Sequence, residues 1–350
     1  MVGLFVISGI GFLTLFSAAN GHFMPWAFPQ MIRFCCGVIL MLSVAYINMQ
    51  FWRHVAYFFY FFSFLLLIAV EGVGAIGMGA QRWINVGFFN IQPSELMKIA
   101  LILALGRYLS YLKMEDLQKI KNLLPPLMMI FAPALLVLKQ PDLGTAALLV
   151  MIGCGMMFGA GVRIRYFLIL GGIVTSLLPI GWHVLKTYQK ERILTFLNPE
   201  RDPLGTGYHI LQSEIALGSG GFFGKGFLEG SQSHLNFLPE KQTDFIFTMF
   251  CEEFGFLGAL VLVGLYLLVM FHGLRISIES RDRFGRLVAL GVTLTLFIYV
   301  FINMSMVMGL VPVVGVPLPF VSYGGTALLT LLVSFGLLFG VDLQKYRSYP

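Results

Sequence analysis

Apolar residues run along this chain in ten stretches, at roughly 2–18, 30–50, 55–77, 94–111, 123–138, 143–161, 166–187, 244–273, 286–310 and 324–343. A helix needs ~20 mostly apolar residues to cross a bilayer. The pattern therefore predicts an all-α polytopic membrane protein with about ten transmembrane helices. The first 19 residues also suit a signal peptide, with Ser17, Ala18 and Ala19 as the cleavage site. They lack an early Lys or Arg, and many more spans follow, so a first membrane helix is the better reading, preceded by only a short leader.

The polar connections then set orientation. Alternate connections and the C-terminus hold Arg53, Lys113, Lys119, Lys121, Arg163, Arg165, Arg275, Arg281, Arg283, Arg286, Lys345 and Arg347. The short connections of the other set hold only Arg82 and Lys139. The positive-inside rule assigns the cation-rich set, and both termini, to the cytoplasm. The segment 188–243 becomes one large outer loop within a single membrane domain, 1–350. Such a long connection usually carries function, and its amphipathic stretch 209–217 argues for order. No convincing inverted repeat links the two halves, which weakens a secondary-transporter reading.

Composition agrees. Of 350 residues, 58% are hydrophobic and 11% charged, against roughly 45–50% and about 25% in soluble domains. The net charge of +6 is scattered between apolar runs, which argues for topology signals and against nucleic-acid binding. Cys35, Cys36, Cys154 and Cys251 all lie in apolar runs without a CxxC pair and are expected to be small buried hydrophobes.

Scarce charge makes each ionisable residue inside a span informative, since one costs at least ~2.5–3.5 kcal/mol to insert. Glu95 and Lys98 stand three apart after Pro93, on one helix face, and can pair. That pair is either structural or the charged wall of an outward-facing cavity. Asp142 follows Pro141 at a helix start, a capping pattern. Thr243 or Asp244 can cap the eighth span, and Asp244 also suits chemistry at the outer surface. Glu252 and Glu253 lie two turns deeper, pointing about 100° apart, where partners in other spans are expected. With Glu71, they give mild support to a transport path.

Two stretches are rich in glycine. Residues 218–226 read GSGGFFGKG. No βαβ unit surrounds them, so a dinucleotide fold is a poor fit, although an anion nest for phosphate is available. Residues 312–326 contain three prolines and three glycines, which forbid a continuous helix. An outer loop or re-entrant turn is expected there, tolerable only if it lines a wet or protein-packed site.

Five separated blocks carry a family resemblance: GAQRW at 79–83, QPSELMK at 92–98, KQPDLGT at 139–145, LPEKQTDFIF at 238–247 and NMSMVMGLVPVVGVPLPFVSYGGTA at 303–327. Together they resemble the SEDS proteins (shape, elongation, division and sporulation), in the family's order and over nearly the whole chain. GYHILQS at 207–213, GSGG at 218–221, GKG at 224–226 and GSQSHL at 230–235 are similar to the elongation branch of the family rather than the division branch.

The resemblance implies a peptidoglycan glycosyltransferase of the bacterial inner membrane with an extracytoplasmic active site, polymerising lipid II with release of undecaprenyl pyrophosphate. It implies Asp244 as the general base. Glu95 and Lys98 would orient Asp244 or contact substrate. Arg82, Lys98, Arg192, Arg201 and Lys241 are the cations available to the pyrophosphate, and Asp142, Ser322 and Gly324 are further supporting residues. It also implies a divalent cation, Mg or Mn, although no ligand cluster is readable. The implied partners are a class B penicillin-binding protein, contacting the long outer loop and spans 8–9, and other elongation-complex membrane proteins. A lipid II flippase and a non-catalytic scaffold for the transpeptidase are the competing readings.

Overall fold

The computed structural model describes residues 1–73, 75–77, 80–85, 90–184, 190–191, 194–196, 198, 206–231 and 240–345. Every predicted span coincides with a helix. These are α1 (Val2–Ala18), α2 (Ala27–Tyr46), α3 (Met49–Val73), α4 (Pro93–Tyr111), α5 (Ile120–Lys139), α6 (Leu143–Ala160) and α7 (Ile164–Val184), then α9 (Ile246–Glu279), α10 (Arg283–Val307) and α11 (Thr326–Lys345). The extra helix α8 (Thr206–Ser219) falls on the amphipathic stretch of the long connection. Among the described residues, seven helices are long and apolar enough to cross a membrane. The chain is a multi-pass membrane protein. α4 is set apart by its charges, Glu95, Lys98 and Arg107.

The fold is not purely helical. Three short strands, β1 (Ala75–Gly77), β2 (Ala80–Asn85) and β3 (Asn90–Ile91), form a small antiparallel sheet between α3 and α4. Ala75 pairs with Trp83, and Ile84 with Ile91. Two cysteines also depart from expectation. Cys35 and Cys36 are exposed on α2, Cys154 is half-buried and only Cys251 is buried. Apolar sequence marks a membrane helix but does not say which of its faces meets protein.

The chain divides into two compact units. One comprises Met1–Ile32, Arg165–Val269 and Tyr299–Gly324; the other comprises Arg33–Ile164, Met270–Ile298 and Gly325–Pro350. In the second unit α4 is the central helix, with Met97, Leu101, Ile102, Leu103 and Leu105 fully or almost fully buried. A helix apolar on all sides belongs inside a bundle. Glycine permits the close approach that drives packing in lipid: a Cβ at Gly291 would stand 2.8 Å from Ile102 and 2.9 Å from Met156.

In the first unit α9 is broken. Its 34 residues would extend ~51 Å as one helix, well beyond a ~30 Å hydrocarbon core. Gly255, at φ +65°, interrupts it. A break frees backbone groups that must be re-paired, and the Gly-rich stretch does this. Lys225 and Gly226 N–H donate to the carbonyls of Glu252 and Glu253 at 3.0 and 3.1 Å. In return, Phe256 and Leu257 N–H donate to Gly221 and Phe222 at 3.0 and 3.1 Å. The stretch acts as a splint, with the amides of Gly221, Gly224, Lys225 and Gly226 already bonded to backbone carbonyls.

Candidate active site

Asp244 stands in the turn that leads into α9, half-exposed. Its neighbours fix the backbone on both sides. Fully buried Asn303 of α10 donates from Nδ2 to the Asp244 carbonyl at 2.9 Å and the Val316 carbonyl at 2.7 Å. Buried Ser322 donates to the Thr243 carbonyl at 2.6 Å and accepts the Leu318 N–H at 2.7 Å. Tyr323 N–H donates to the Gln242 carbonyl at 2.8 Å. Behind them, fully buried Gln30 of α2 donates to the Ser322 carbonyl at 3.0 Å and accepts the Gly324 N–H at 3.3 Å.

The proline- and glycine-rich stretch 308–325 is therefore the irregular segment its sequence predicts. Val316, Leu318, Phe320, Val321 and Ser322 within it are buried. Gly315 adopts φ +69°, and a Cβ there would lie 3.4 Å from Asp244 Oδ2. The carboxylate thus sits against a glycine in a conformation that side chains rarely adopt. Thr243, offered as a cap, turns its hydroxyl instead toward Glu240, 3.2 Å from the carbonyl and 3.1 Å from Oε2. Lys241, in the same turn, is buried, and desolvation pushes its pKa below the ordinary lysine value.

Two further clusters belong to the second unit. Glu95 and Lys98 pair at 2.6 Å with both side chains almost wholly buried. Thr330 of α11 approaches the other carboxylate oxygen, donating to Glu95 Oε2 at 2.9 Å. Pro93 in the first turn of α4 and Glu95 near its N-terminus suit the helix start. The second cluster joins strand β2 to the α5–α6 corner. Arg82 donates from Nε to the Gln140 carbonyl at 3.1 Å and from Nη2 to the Pro141 carbonyl. Its Nη1 lies 3.6 Å from Asp142. Asp142 caps α6, accepting the Thr145 N–H at 3.1 Å and the Thr145 hydroxyl at 2.9 Å. The capping expectation for Asp142 holds, and most of the donors of Arg82 are engaged at that corner.

Glu253 accepts a hydrogen bond from Ser17 of α1, and Glu252 pairs with Lys225 at 2.8 Å. Both carboxylates brace the broken helix, and Glu71 is exposed. Arg192 and Arg201 lie outside the described residues. Among the described residues no three His, Cys, Asp or Glu side chains gather as a cation site. The described residues thus offer no site that would hold a metal ion by three such side chains.

Sequence reasoning missed the roles of Gln30, Asn303, Gly315 and Thr330. Gln30 and Asn303 carried a usable signal: a side-chain amide inside an apolar run must bond to something when buried. The chemistry open to the Asp244 site is proton acceptance. A half-exposed carboxylate on an immobilised backbone suits a general base, which needs its geometry fixed first.

Comparison with known proteins bears on the whole chain. The family described as cell cycle protein, of the FtsW, RodA and SpoVE type, matches residues 1–347. A peptidoglycan glycosyltransferase MrdB from Escherichia coli K12 is 45% identical over 312 residues, covering 88% of this chain and 83% of the relative. A peptidoglycan glycosyltransferase RodA from Treponema pallidum is 34% identical, covering 99% and 97%. A chain from a solved peptidoglycan synthase complex, described as coordinating polymerization and crosslinking, superposes with a TM-score of 0.87 at 29% identity, covering 99% of this chain and 97% of the other.

Proposed function

We propose that this chain, which belongs to the cell cycle protein family of FtsW, RodA and SpoVE, is a peptidoglycan glycosyltransferase that polymerises lipid II, with Asp244 as its general base. The observation that carries the assignment of Asp244 is the cradle around it: a carboxylate against Gly315, on a turn held by Asn303, Ser322 and Tyr323.

The 4-hydroxyl oxygen of one disaccharide attacks the anomeric carbon of another. The bond from that carbon to the pyrophosphate oxygen breaks, and undecaprenyl pyrophosphate leaves with the electron pair. The hydroxyl proton passes to the Asp244 carboxylate. Inversion converts the α-linked donor into a β-1,4 product. A positioned base typically contributes ~10²–10⁴-fold to such a step. The leaving group develops negative charge, which nearby cations stabilise. Lys241, three residues before the base in sequence, is the described cation we assign to it. The Glu95–Lys98 pair, tied to Thr330, is a buried ion pair of the second unit.

Mg²⁺ or Mn²⁺ is assigned to the substrate side. Such ions commonly bind through one or two carboxylates plus substrate phosphates, so the pyrophosphate brings ligands that the chain lacks. The site is assigned to the extracytoplasmic face and the termini to the cytoplasm, on the distribution of Lys and Arg. A class B penicillin-binding protein is assigned as partner; the similarity to a chain from a polymerising and crosslinking complex supports this.

The test is direct. The purified protein with its partner receives lipid II in detergent with Mg²⁺ or Mn²⁺, and the products are run on a gel. Glycan polymer is expected. Translocation of lipid II in vesicles without any polymer would favour the flippase, and neither polymer nor translocation would favour the scaffold.

A further inference from the structure

A cavity lies within the second unit. Its volume is about 540 Å³. Its walls come from the start of α3 (Met49, Gln50, Arg53), the α9–α10 turn (Ser280, Arg281, Asp282, Gly285) and the end of α11 (Val341, Gln344, Lys345). All three regions belong to the face rich in Lys and Arg.

The charge of this cavity is lopsided. Asp282 is the one acid among the lining residues, and it is already engaged. It receives Arg53 Nη2 at 2.5 and 2.6 Å and the Gly285 N–H at 3.1 Å. Lys345 and Arg275 share Glu279. Arg286 donates to the Ser280 carbonyl at 3.3 Å. Arg281 is exposed and makes no ion pair with any described residue. Among the lining residues, Arg53, Arg281 and Lys345 thus stand against one carboxylate, Asp282. The surplus is positive, and an ion of opposite sign is the missing complement.

The lining also has an apolar part, Met49 and Val341, beside the amides of Gln50 and Gln344. A free inorganic anion would use only the cations. A ligand with a phosphate at one end and hydrocarbon at the other would use both. The cavity lies at the ends of membrane-length helices, where lipid headgroups lie. The cytoplasmic leaflet carries anionic lipid, and basic pockets between helices on that side bind phosphate headgroups.

We infer that this cavity binds the phosphodiester headgroup of an anionic phospholipid from the inner leaflet, with Arg281 as the recruiting cation. The occupant is a membrane lipid, independent of the lipid-linked substrate at Asp244. Binding there ties the α9–α10 turn to α3 and α11, the elements that line the cavity.

The test uses the full chain in mild detergent with dioleoyl phosphatidylglycerol, dioleoyl phosphatidylcholine or inorganic phosphate as probes, read by native mass spectrometry. Phosphatidylglycerol is expected to be retained in preference to phosphatidylcholine. Arg281→Ala should weaken that retention about fivefold, the loss of one cation near a charged membrane surface, and Arg281→Glu should weaken it further. Gln50→Lys adds a cation to the same wall and should strengthen it, so the inference does not hang on a loss that misfolding could mimic. Equal retention of both lipids, or full retention by Arg281→Glu, overturns the proposal. Phosphate that saturates the site and excludes phosphatidylglycerol assigns the cavity to a soluble anion and overturns the lipid reading.

Discussion

Replacing Gly224 by alanine should be among the most damaging small changes available in this protein, although no catalytic group is touched. Gly224 adopts φ +84°, and a Cβ there would lie 2.0 Å from the Glu253 carbonyl oxygen and 2.7 Å from the Phe254 carbonyl carbon. The left-handed conformation costs a non-glycine residue ~1–2 kcal/mol. Relieving the clash moves the splint away from the broken α9, loosening the Lys225 and Gly226 bonds to the Glu252 and Glu253 carbonyls. At ~0.5–1.5 kcal/mol for each bond, the total reaches about 2–5 kcal/mol. Two neighbours serve as controls. Gly221 has φ +56° but open space around its Cβ position, so Gly221→Ala bears only the conformational ~1–2 kcal/mol. Gly218 lies in α8 with nothing near it, so alanine there is neutral or gains up to ~1 kcal/mol of helix propensity. Thermal unfolding of the purified variants should rank Gly218→Ala at or above wild type, then Gly221→Ala, then Gly224→Ala. A Gly224→Ala protein that melts with Gly221→Ala would refute the splint.

Three other outcomes follow from the geometry. Glu95→Ala removes the carboxylate that pairs with buried Lys98 and should cost ~3–5 kcal/mol, while the double replacement Glu95→Leu with Lys98→Met should be milder than either single change; melting curves decide, and harmless single changes would contradict the pairing. Asn303→Ala removes two backbone tethers around Asp244 and Val316, worth ~1 kcal/mol each, so polymer formation should drop by up to about 30-fold in a protein that still folds; an unchanged initial rate would show that the turn positions itself. Burial holds the Lys241 pKa below that of an ordinary lysine, so its charge is present below the folded pKa and is lost as pH rises through it, before an exposed lysine discharges. Polymer yield should accordingly fall on the alkaline side earlier in wild type than in Lys241→Arg, which keeps its charge. The folded chain should gain stability over the same window, because it has released a proton the unfolded chain still holds. Superimposable pH–rate profiles would remove Lys241 from the site.

The helices were legible because each membrane span must satisfy its own backbone over some twenty apolar residues, and that demand is written in composition. Glu95 and Lys98 were legible for the same reason: charge within an apolar run needs a partner, and three-residue spacing supplies one. The sheet at 75–91 was not, since its strands of two to six residues carry no period long enough to stand out. The break at Gly255 lies in a run that reads as continuous helix. Its evidence is thirty residues upstream, in glycines whose purpose appears only when they meet the freed carbonyls. Asp244 was visible as an aspartate at a helix start, where capping and catalysis look alike. Gln30, Asn303 and Gly315 surround its turn, and they come from two distant parts of the sequence.

The measurement closest to the central claim is the initial rate of lipid II polymerisation by Asp244→Asn, made beside its melting temperature. The amide keeps the size and the backbone tethers but cannot take the hydroxyl proton. A rate lower by about 10²–10⁴ with melting unchanged is the expected result. Polymerisation at the wild-type rate by a folded Asp244→Asn protein would contradict the assignment of Asp244 as the base.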